Sequence, residues 1–335
     1  MNRMTPVVAK GPRTTVPPPM TTLPSEKRSI SNQSVGQEPG RCSNSPVILS
    51  FDVEEHDRIE AASALTIDPA LRAAYRTRLA PSTYWLLDRL AEMKIQATFF
   101  IVGEIARDDP GLVRAIHRAG HEVASHSWDH RRVHTHTPAS FLEDLRQSKD
   151  ALEQVTGEAV LGYRAPTFSV VGKTAWAIDV LVESGMLYDS SVYPIRHDRY
   201  GVPGAPRSPF FASGGGREIL EFPPATLRFL SLCVPVGGGG YFRLLPLSWM
   251  ERAIAQLNNE SPHPAATLYF HPWEFDPDQP RLPLSPLSKF RTYTGIDRTQ
   301  ARLQTLLTQH RFSRAVDVAR ELVEHQANLP RYRIA

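Results

Sequence analysis

Strand and helix signals alternate along the chain from about residue 46 onward. The apolar run VILSFDVE predicts a first buried strand, and ATFFIV at 97–102 predicts a second. Helix signals lie between such runs. Ser82 is predicted to open one helix, and another runs from the cap formed by Thr137 and Pro138 to the terminator Gly157. Regular alternation of this kind predicts an α/β domain built on a parallel sheet, either open or closed.

The segment 194–245 interrupts this alternation. It is rich in Pro and Gly and includes an uninterrupted glycine run at 237–240. Such a composition predicts a long insertion of loops and hairpins rather than another strand–helix unit. A helical pattern returns between Asp297 and Val323 and is predicted to close the domain.

The composition bounds the class of protein. Of the 335 residues, 41% are hydrophobic, which is enough for a substantial core. Residues 1–45 are rich in Pro, Ser, Thr, Gln and Gly without an apolar period, so we predict a disordered tail there and one folded domain over 46–325. The formal charge is only +3, from 38 basic and 35 acidic residues, and no basic tract stands out. Nucleic-acid binding is therefore not expected.

The sequence shows no sign of membrane insertion or export. No stretch approaches about 18 consecutive apolar residues, and prolines and charges interrupt the N-terminal segment where a signal peptide has its apolar core. We therefore expect a cytoplasmic protein without a membrane span. The two cysteines, Cys42 and Cys233, predict neither a disulfide framework nor a cysteine zinc site.

Polar side chains follow several of the predicted strands, at the edge where parallel α/β folds build their sites. Strand alternation places Asp52 and Glu54 on one face, where one carboxylate could hold a cation and the other could accept a proton. Two ordinary surface acids at a strand end would give the same pattern.

Two histidines follow the strand predicted at 121–125. His126 and His130 lie four residues apart, a spacing that lets both face one metal from a single helical turn. Other histidines lie nearby, but this pair directly follows a strand. It is therefore predicted to lie level with Asp52 and Glu54.

An arginine and a further histidine complete the set of candidates. Arg164, with Pro166 two residues on, is either a clamp that stabilises the charged form of Asp52 or a surface ion-pair residue. His271 ends an apolar strand and is either a packing residue or a proton donor, a role that suits imidazole.

Together these four segments resemble the polysaccharide deacetylase family, which includes chitin, peptidoglycan and nodulation-oligosaccharide deacetylases. The resemblance runs from about residue 47 to 275, in the family's motif order. The stretches SFDVEEHD, YRAPTFS, GGGGYFRLLP and YFHPWEFDPDQPR are most similar to a bacterial subgroup associated with exopolysaccharide export systems. The resemblance implies a distorted (β/α) barrel with about seven parallel strands.

The resemblance also implies roles for the residues of the acid–base set. Asp52 matches the catalytic base, and Arg164 matches the arginine that holds it, with Pro166 completing that motif. His271 matches the general acid. Asp189 is the candidate for the aspartate that supports this histidine.

The same resemblance implies a metal site. His126 and His130 match the family's metal-binding histidines, and a divalent metal, zinc by expectation, is the implied cofactor. The usual family motif has two adjacent aspartates, the second of which binds metal. Here Val53 intervenes, so the acidic ligand is expected to be Glu54, with Glu55 as the alternative.

The implied activity is metal-dependent hydrolysis of N-acetyl groups from amino sugars of an exopolysaccharide or a cell-wall glycan, with release of acetate. Trp273, Tyr163 and Tyr193 are candidates to stack on sugar rings, although aromatic residues are more often part of a core. A cyclic-amide or ureide hydrolase on a related barrel is the alternative enzyme, and the histidine pair weighs against its metal-free forms. A sugar-binding module is a third possibility, but binding alone needs no base, clamp and acid.

Overall fold

The computed structural model describes residues 1, 45–197, 199–230, 232–324 and 329–335. The strands are β1 (Val47–Val53), β2 (Thr98–Ile101), β3 (Glu122–Ser125), β4 (Gly162–Tyr163), β5 (Tyr188–Asp189), β6 (Phe210–Ser213), β7 (Glu218–Glu221), β8 (Thr226–Phe229), β9 (Leu232–Pro235), β10 (Ala266–Phe270), β11 (Phe312–Ser313) and β12 (Arg331–Arg333). The helices are α1 (Pro69–Glu92), α2 (Gly103–Asp108), α3 (Pro110–Arg118), α4 (Pro138–Thr156), α5 (Ala177–Glu183), α6 (Gly239–Leu244), α7 (Leu247–Glu260), α8 (Pro286–Tyr293), α9 (Thr299–Gln309) and α10 (Ala315–Glu324). The disordered tail predicted for 1–45 lies almost entirely outside the described residues.

Seven strands form a parallel sheet in the order β10-β1-β2-β3-β4-β5-β7. β6 adds to β7 in the antiparallel direction, β12 adds to β6, and β11 pairs with β1. Helices follow most of the parallel strands along the chain. The α/β class predicted from the sequence is therefore confirmed.

The two ends of the parallel sheet, β7 and β10, meet without forming a continuous ladder. Beyond β7, Pro224 forms an isolated bridge with Thr267, and Gly238 forms one with Tyr269. Backbone hydrogen bonds join the same stretches, with Ala225 N donating to the Thr267 carbonyl at 2.9 Å. Loop residues thus replace a ladder at this seam, which is the distortion that the barrel prediction implied.

The segment predicted as an insertion contains two hairpins, β6–β7 and β8–β9. However, β7 also pairs in parallel with β5 and supplies the seventh strand of the sheet. The predicted hairpins are thus present, but the segment also contributes a strand to the parallel sheet, which the sequence analysis did not predict. A strand of four residues between a glycine-rich turn and two prolines carries too short a pattern to be recognised as central.

The predicted ends of α4 are confirmed, but the predicted start of α1 is wrong. Thr137 accepts a hydrogen bond from the Ser140 amide, and Gly157 ends α4 with a φ of 75°. The first long helix begins at Pro69, well before Ser82, whose hydroxyl instead donates to the Arg78 carbonyl one turn back. Ser82 is of a residue type common at helix caps, and it follows Pro81, a residue type that is rare within a helix.

The alternation of β1 determines where the site lies. Val47, Leu49, Phe51 and Val53 belong to the large apolar cluster that also takes in side chains of the helices. The intervening residue Ile48 faces the other way, into a second cluster with side chains of β2, β3 and β5. On the same face of β1, Ser50 and Asp52 follow Ile48, so the barrel interior is apolar near the start of the strand and polar near its end.

None of the described helices is both long and apolar enough to cross a bilayer.

Gly162 provides a test of the packing that places β4. A Cβ at this position would meet the ring and hydroxyl of Tyr188, which is fully buried. We expect Gly162→Ala to lower the free energy of unfolding by about 1–3 kcal/mol, the usual cost of overpacking a dense core. Urea unfolding followed by tryptophan fluorescence measures the change.

Gly216→Ala is the matched control, because a Cβ there would meet nothing within 4 Å. We expect it to change the free energy of unfolding by less than about 0.5 kcal/mol. Equal losses in the two variants would contradict the packing argument.

Candidate metal and acid–base site

The ends of β1, β3, β4 and β10 bring the predicted polar residues together at one mouth of the barrel. Asp52 lies in β1, and Glu54 follows it directly. His126 follows β3, Arg164 follows β4 and His271 follows β10. The four sequence segments thus meet as expected, because parallel strands end at the same edge of the sheet.

Glu54, His126 and His130 form a possible metal site. Each offers one ligand atom, and the three atoms lie within 4.8 Å of one another. The Nε2 atom of His126 is 4.0 Å from the Glu54 Oε2 atom, which Nε2 of His130 also contacts. Two imidazole nitrogens and one carboxylate oxygen are the ligand set of many zinc sites that keep a further position open.

The surroundings of His126 fit a metal ligand. Its Nδ1 atom lies 2.8 Å from the Arg164 carbonyl oxygen, to which it can donate a proton. This hydrogen bond leaves Nε2 as the atom with a free lone pair, directed to the cluster. Burial lowers the pKa of His126 to about 4, so that the neutral, ligating form predominates at neutral pH.

The histidine spacing works through a tight loop and not through a helical turn. Residues 126–132 are not helical, and both Ser127 and His130 have left-handed backbone conformations, with φ of 67° and 64°. The Ser127 hydroxyl accepts a hydrogen bond from the His130 amide at 3.0 Å. The predicted helical turn is therefore wrong, although the two rings still lie only 5.0 Å apart.

The structure separates the two adjacent glutamates. Glu54 continues the face of Asp52 and reaches the histidines, whereas Glu55 points away and forms an ion pair with Arg58 at 2.5 Å. Burial raises the pKa of Glu54, but the charges of His130, His271 and His126 outweigh it and lower the pKa to about 2. Glu54 is thus a carboxylate at neutral pH and is the better placed ligand of the two.

Arg164 binds Asp52 inside the barrel and is not a surface residue. It is fully buried, and its Nη1 atom donates to Asp52 Oδ1 at 2.6 Å and to Ser50 Oγ at 2.9 Å. Its guanidinium lies 4.1 Å from the centre of the Phe100 ring. Pro166 is also buried and begins the short 3-10 turn Pro166–Phe168 that carries the chain away from the clamp.

His271 faces the carboxylates of Asp52 and Glu54. Its Nε2 atom is 3.5 Å from Glu54 Oε1 and 3.9 Å from Asp52 Oδ2. Its Nδ1 atom is 3.2 Å from Glu274 Oε2. Burial lowers the pKa of His271, but the hydrogen bond and charge of Glu274, with the charges of Glu54 and Asp52, outweigh it and raise the pKa to about 9.

Glu274, and not Asp189, supports His271, which corrects the sequence-based expectation. The Asp189 carboxylate instead accepts hydrogen bonds from the amide of Ser190 and the hydroxyl of Ser191. Glu274 is buried and forms an ion pair with Arg243. The sequence analysis missed this glutamate, although a glutamate three residues after a helix-capping position is a known signal and His271 occupies that position.

The aromatic candidates for sugar stacking are largely buried. Tyr163 and Tyr193 are fully buried, and Tyr163 packs against Phe141 in the core, so neither side chain can contact a sugar ring. Trp273 is 8% exposed and stacks on the His271 ring at 5.3 Å. It therefore packs against the imidazole that faces the site.

Glu60 joins three loops around the mouth of the barrel. Its carboxylate accepts hydrogen bonds from Arg132 at 2.9 Å, from Arg199 at 3.3 Å and from the Thr167 hydroxyl at 3.4 Å. Arg132 follows β3, Arg199 precedes β6 and Thr167 follows β4. The sequence analysis did not identify Glu60, because its partners lie at least 72 residues away along the chain.

Two family models match separate parts of the chain. Residues 57–182 match the family model described as polysaccharide deacetylase, and residues 190–320 match a model described as a domain of unknown function, DUF3473. The chain is 30% identical over 99 residues to a chitooligosaccharide deacetylase from Sinorhizobium fredii, which covers 30% of this chain and 44% of that protein. The chain spans less than half the length of the first curated relatives it matches.

Two solved structures share the fold over most of this chain. A Mycobacterium smegmatis protein assigned to the polysaccharide deacetylases superposes with a TM-score of 0.57 and 23% identity, covering 88% of this chain and 95% of that one. Puue allantoinase superposes with a TM-score of 0.58 and 20% identity, covering 86% and 93%. The protein is thus an α/β barrel of the kind these proteins share. Over residues 57–182 the chain matches the polysaccharide deacetylase family model.

Loss of a ligand should abolish metal binding at the Glu54 cluster. We expect His130→Ala to reduce bound divalent metal from about one equivalent to near zero, because three protein ligands are the usual minimum for a site with an open position. Metal content after dialysis, measured by mass spectrometry, checks this. His134→Ala, at an exposed position on the neighbouring turn, is the control that should keep its metal.

Removal of the charge on Glu274 should lower the pKa of His271. In Glu274→Gln we expect the pKa of His271 to fall by at least about one unit, equivalent to about 1.4 kcal/mol, because its largest stabilising partner is lost. Below its pKa the imidazole is protonated, so the charged form would then be lost at lower pH. Ring-proton NMR titration measures the shift, with the signal assigned by its absence in His271→Gln.

Glu55→Gln is the matched control, because Glu55 pairs with Arg58 and does not contact His271. An unchanged His271 titration in Glu274→Gln would show that Glu274 does not set this pKa.

Proposed function

We propose that this protein removes N-acetyl groups from amino sugars of a polysaccharide or oligosaccharide by metal-dependent hydrolysis. The observation that carries the proposal is the placement of Asp52 and His271 on either side of the Glu54, His126 and His130 cluster. A base, an acid and a metal site within reach of one point are what the hydrolysis of an amide requires.

Asp52 is the group best placed to accept a proton from the attacking water. Its Oδ1 atom is held by Arg164, which leaves Oδ2 directed to the site on the side of His271. Because Arg164 is buried and fixed by further hydrogen bonds, the carboxylate cannot turn away from the water. Positioning of this kind makes a general base effective.

His271 is the group best placed to protonate the departing amine. Its pKa of about 9 keeps the imidazole protonated at neutral pH, and Glu274 holds its Nδ1 atom so that Nε2 faces the site. Proton donation from Nε2 would release the amino sugar, with acetate as the second product. Asp52 and His271 thus divide the two proton transfers between them.

Glu54, His126 and His130 would hold the divalent cation, with zinc as the expected ion from their ligand set. Such a cation, when bound, polarises the acetamide carbonyl and lowers the pKa of the attacking water. The burial of Glu54 and His126 limits competition by bulk water for these ligands.

An exopolysaccharide or cell-wall glycan is the proposed substrate. Supporting this, the relatives matched by sequence are described as acting on chitooligosaccharide or on the N-acetylglucosamine of peptidoglycan. The residues of the motifs support an exopolysaccharide as the substrate, because they are most similar to the exopolysaccharide-associated subgroup of the family. A cyclic-amide hydrolase shares only the fold, and it is distinguished by activity on cyclic ureides without acetate release.

Asp52→Asn tests the assignment of the base. We expect the rate of acetate release from N-acetylated chitooligosaccharides to fall by about 10²–10⁴-fold, because the variant cannot accept the proton. Bound metal should remain at the wild-type level, since Asp52 is not part of the ligand cluster. An enzymatic acetate assay with parallel metal analysis checks both.

Asp68→Asn is the control, because Asp68 caps α1 and asparagine caps helices equally well. It should retain wild-type acetate release. Near-normal release by Asp52→Asn would refute the role of Asp52, and activity that persists in metal-free enzyme would refute the metal dependence.

A further inference from the structure

We propose that Asp189 and Glu221 form a buried carboxyl pair that shares one proton and positions Arg164, and through it Asp52. The kinetic part of this inference rests on the proposed function, whereas the sharing of the proton does not. Neither residue touches the metal ligands, and both lie behind the arginine clamp.

The two side chains lie next to each other across a strand pair. Asp189 and Glu221 are register partners in β5 and β7, so their side chains emerge on the same face of the sheet. Both are fully buried. Asp189 Oδ2 and Glu221 Oε2 are buried and have no hydrogen-bond partner among the described residues, so a proton held between the two carboxyl groups would give both atoms a partner.

Two adjacent carboxylates in such a site cannot both carry a charge. Burial raises the pKa of Asp189 to about 6 against the opposing hydrogen bonds of Ser191, Glu221 and Ser190. Burial and the neighbouring charge of Asp189 raise the pKa of Glu221 well above its ordinary value. Asp189 accepts two hydrogen bonds from Ser190 and Ser191, whereas Glu221 accepts one from Val192. The negative charge is therefore better stabilised on Asp189, which leaves the proton on Glu221.

The charged member of the pair fixes the segment that holds the clamp. Asp189 Oδ1 accepts hydrogen bonds from the Ser190 amide at 2.8 Å and from the Ser191 hydroxyl at 2.5 Å. The Ser191 hydroxyl in turn accepts from the amide of Ala165, the residue that follows Arg164, at 2.8 Å. The backbone at Ala165 and at Ser190 is thus tied to the Asp189 carboxylate.

The orientation of the Arg164 guanidinium depends on Ser190. Nη2 of Arg164 donates to the Ser190 hydroxyl at 2.8 Å, and Nε lies 3.3 Å from the Ser190 carbonyl oxygen. The neutral member of the pair contributes on the other side, where Glu221 Oε1 accepts from the Val192 amide at 3.0 Å. The pair thus fixes both ends of the short segment against which Arg164 is oriented toward Asp52.

Because Glu221 carries the proton, we expect Glu221→Gln to preserve the hydrogen bonds of the pair and Asp189→Asn to disrupt them. Glu221→Gln keeps a donor facing Asp189 and an acceptor facing Val192, so the geometry survives. In Asp189→Asn the amide oxygen can accept from Ser190 and Ser191 only if the amide nitrogen faces Glu221. Glu221 then either keeps its proton, so that donor faces donor, or ionises in the buried site. Both outcomes remove the charge that the Ser190 and Ser191 donors stabilise and are unfavourable in a dry site.

The experiment measures both variants in metal-loaded full-length protein. In Asp189→Asn we expect kcat to fall at least about tenfold and KM to change less than about twofold, since 1.4 kcal/mol corresponds to tenfold. In Glu221→Gln we expect kcat to fall less than about threefold. The side-chain NMR resonance of Arg164, measured in folded protein, separates positioning of the clamp from a general loss of stability.

Two readouts do not depend on substrate. The infrared band of a buried protonated carboxyl group should disappear in Glu221→Gln, and the Arg164 Nε–H NMR resonance should shift in Asp189→Asn but not in Glu221→Gln. Glu122→Gln is the control, because Glu122 is also buried with a raised pKa, but it bonds to Thr98, Tyr188 and Val316, away from the clamp.

If the infrared difference spectrum between wild type and Glu221→Gln contains no protonated-carboxyl band, the assignment of the proton is overturned. An unmoved Arg164 resonance in Asp189→Asn, or equal effects of the two substitutions on it, would overturn the positioning role. If wild-type protein releases no acetate, the proposed function fails while these two spectroscopic results still decide the inference.

Discussion

The ion pair between Arg164 and Asp52 is the contact on which the rest of the site depends. A fully buried guanidinium is tolerated only when its donors are satisfied, and loss of a partner in such a pair typically costs about 3–5 kcal/mol. Arg164 meets this requirement through Ser50 and Asp52 of β1 and through Ser190, which follows β5. The polar end of the barrel interior is thus held together by the residue that also orients Asp52, the proposed base.

Different surroundings give three neighbouring carboxylates different tasks. Asp52 faces an arginine, Glu54 faces two histidines, and Glu274 faces an arginine on one side and His271 on the other. Asp52 and Glu274 each pair with an arginine, which leaves Glu54 to the histidines. The roles proposed for the three carboxylates can therefore coexist within a few ångströms.

The sequence predicted those features that local chemistry controls. The buried strands β1, β2, β3 and β10 and the ends of α4 follow from apolar runs and capping residues, and most of the site was found because those residues follow strands. The failures have local causes as well. Ser82 was mistaken for a helix start, the loop between His126 and His130 was mistaken for a helical turn, and β7 was too short to show a pattern.

By itself, the sequence determined that Asp52, Glu54, His126, Arg164 and His271 would meet, because parallel strands end at a common edge. Only the tertiary structure decided which acid serves which partner. Glu274 replaced Asp189 beside His271, Glu54 was separated from Glu55, and Tyr163 was placed in the core. These choices depend on side-chain direction and on partners tens to hundreds of residues apart, and no local pattern encodes the distance between two such atoms.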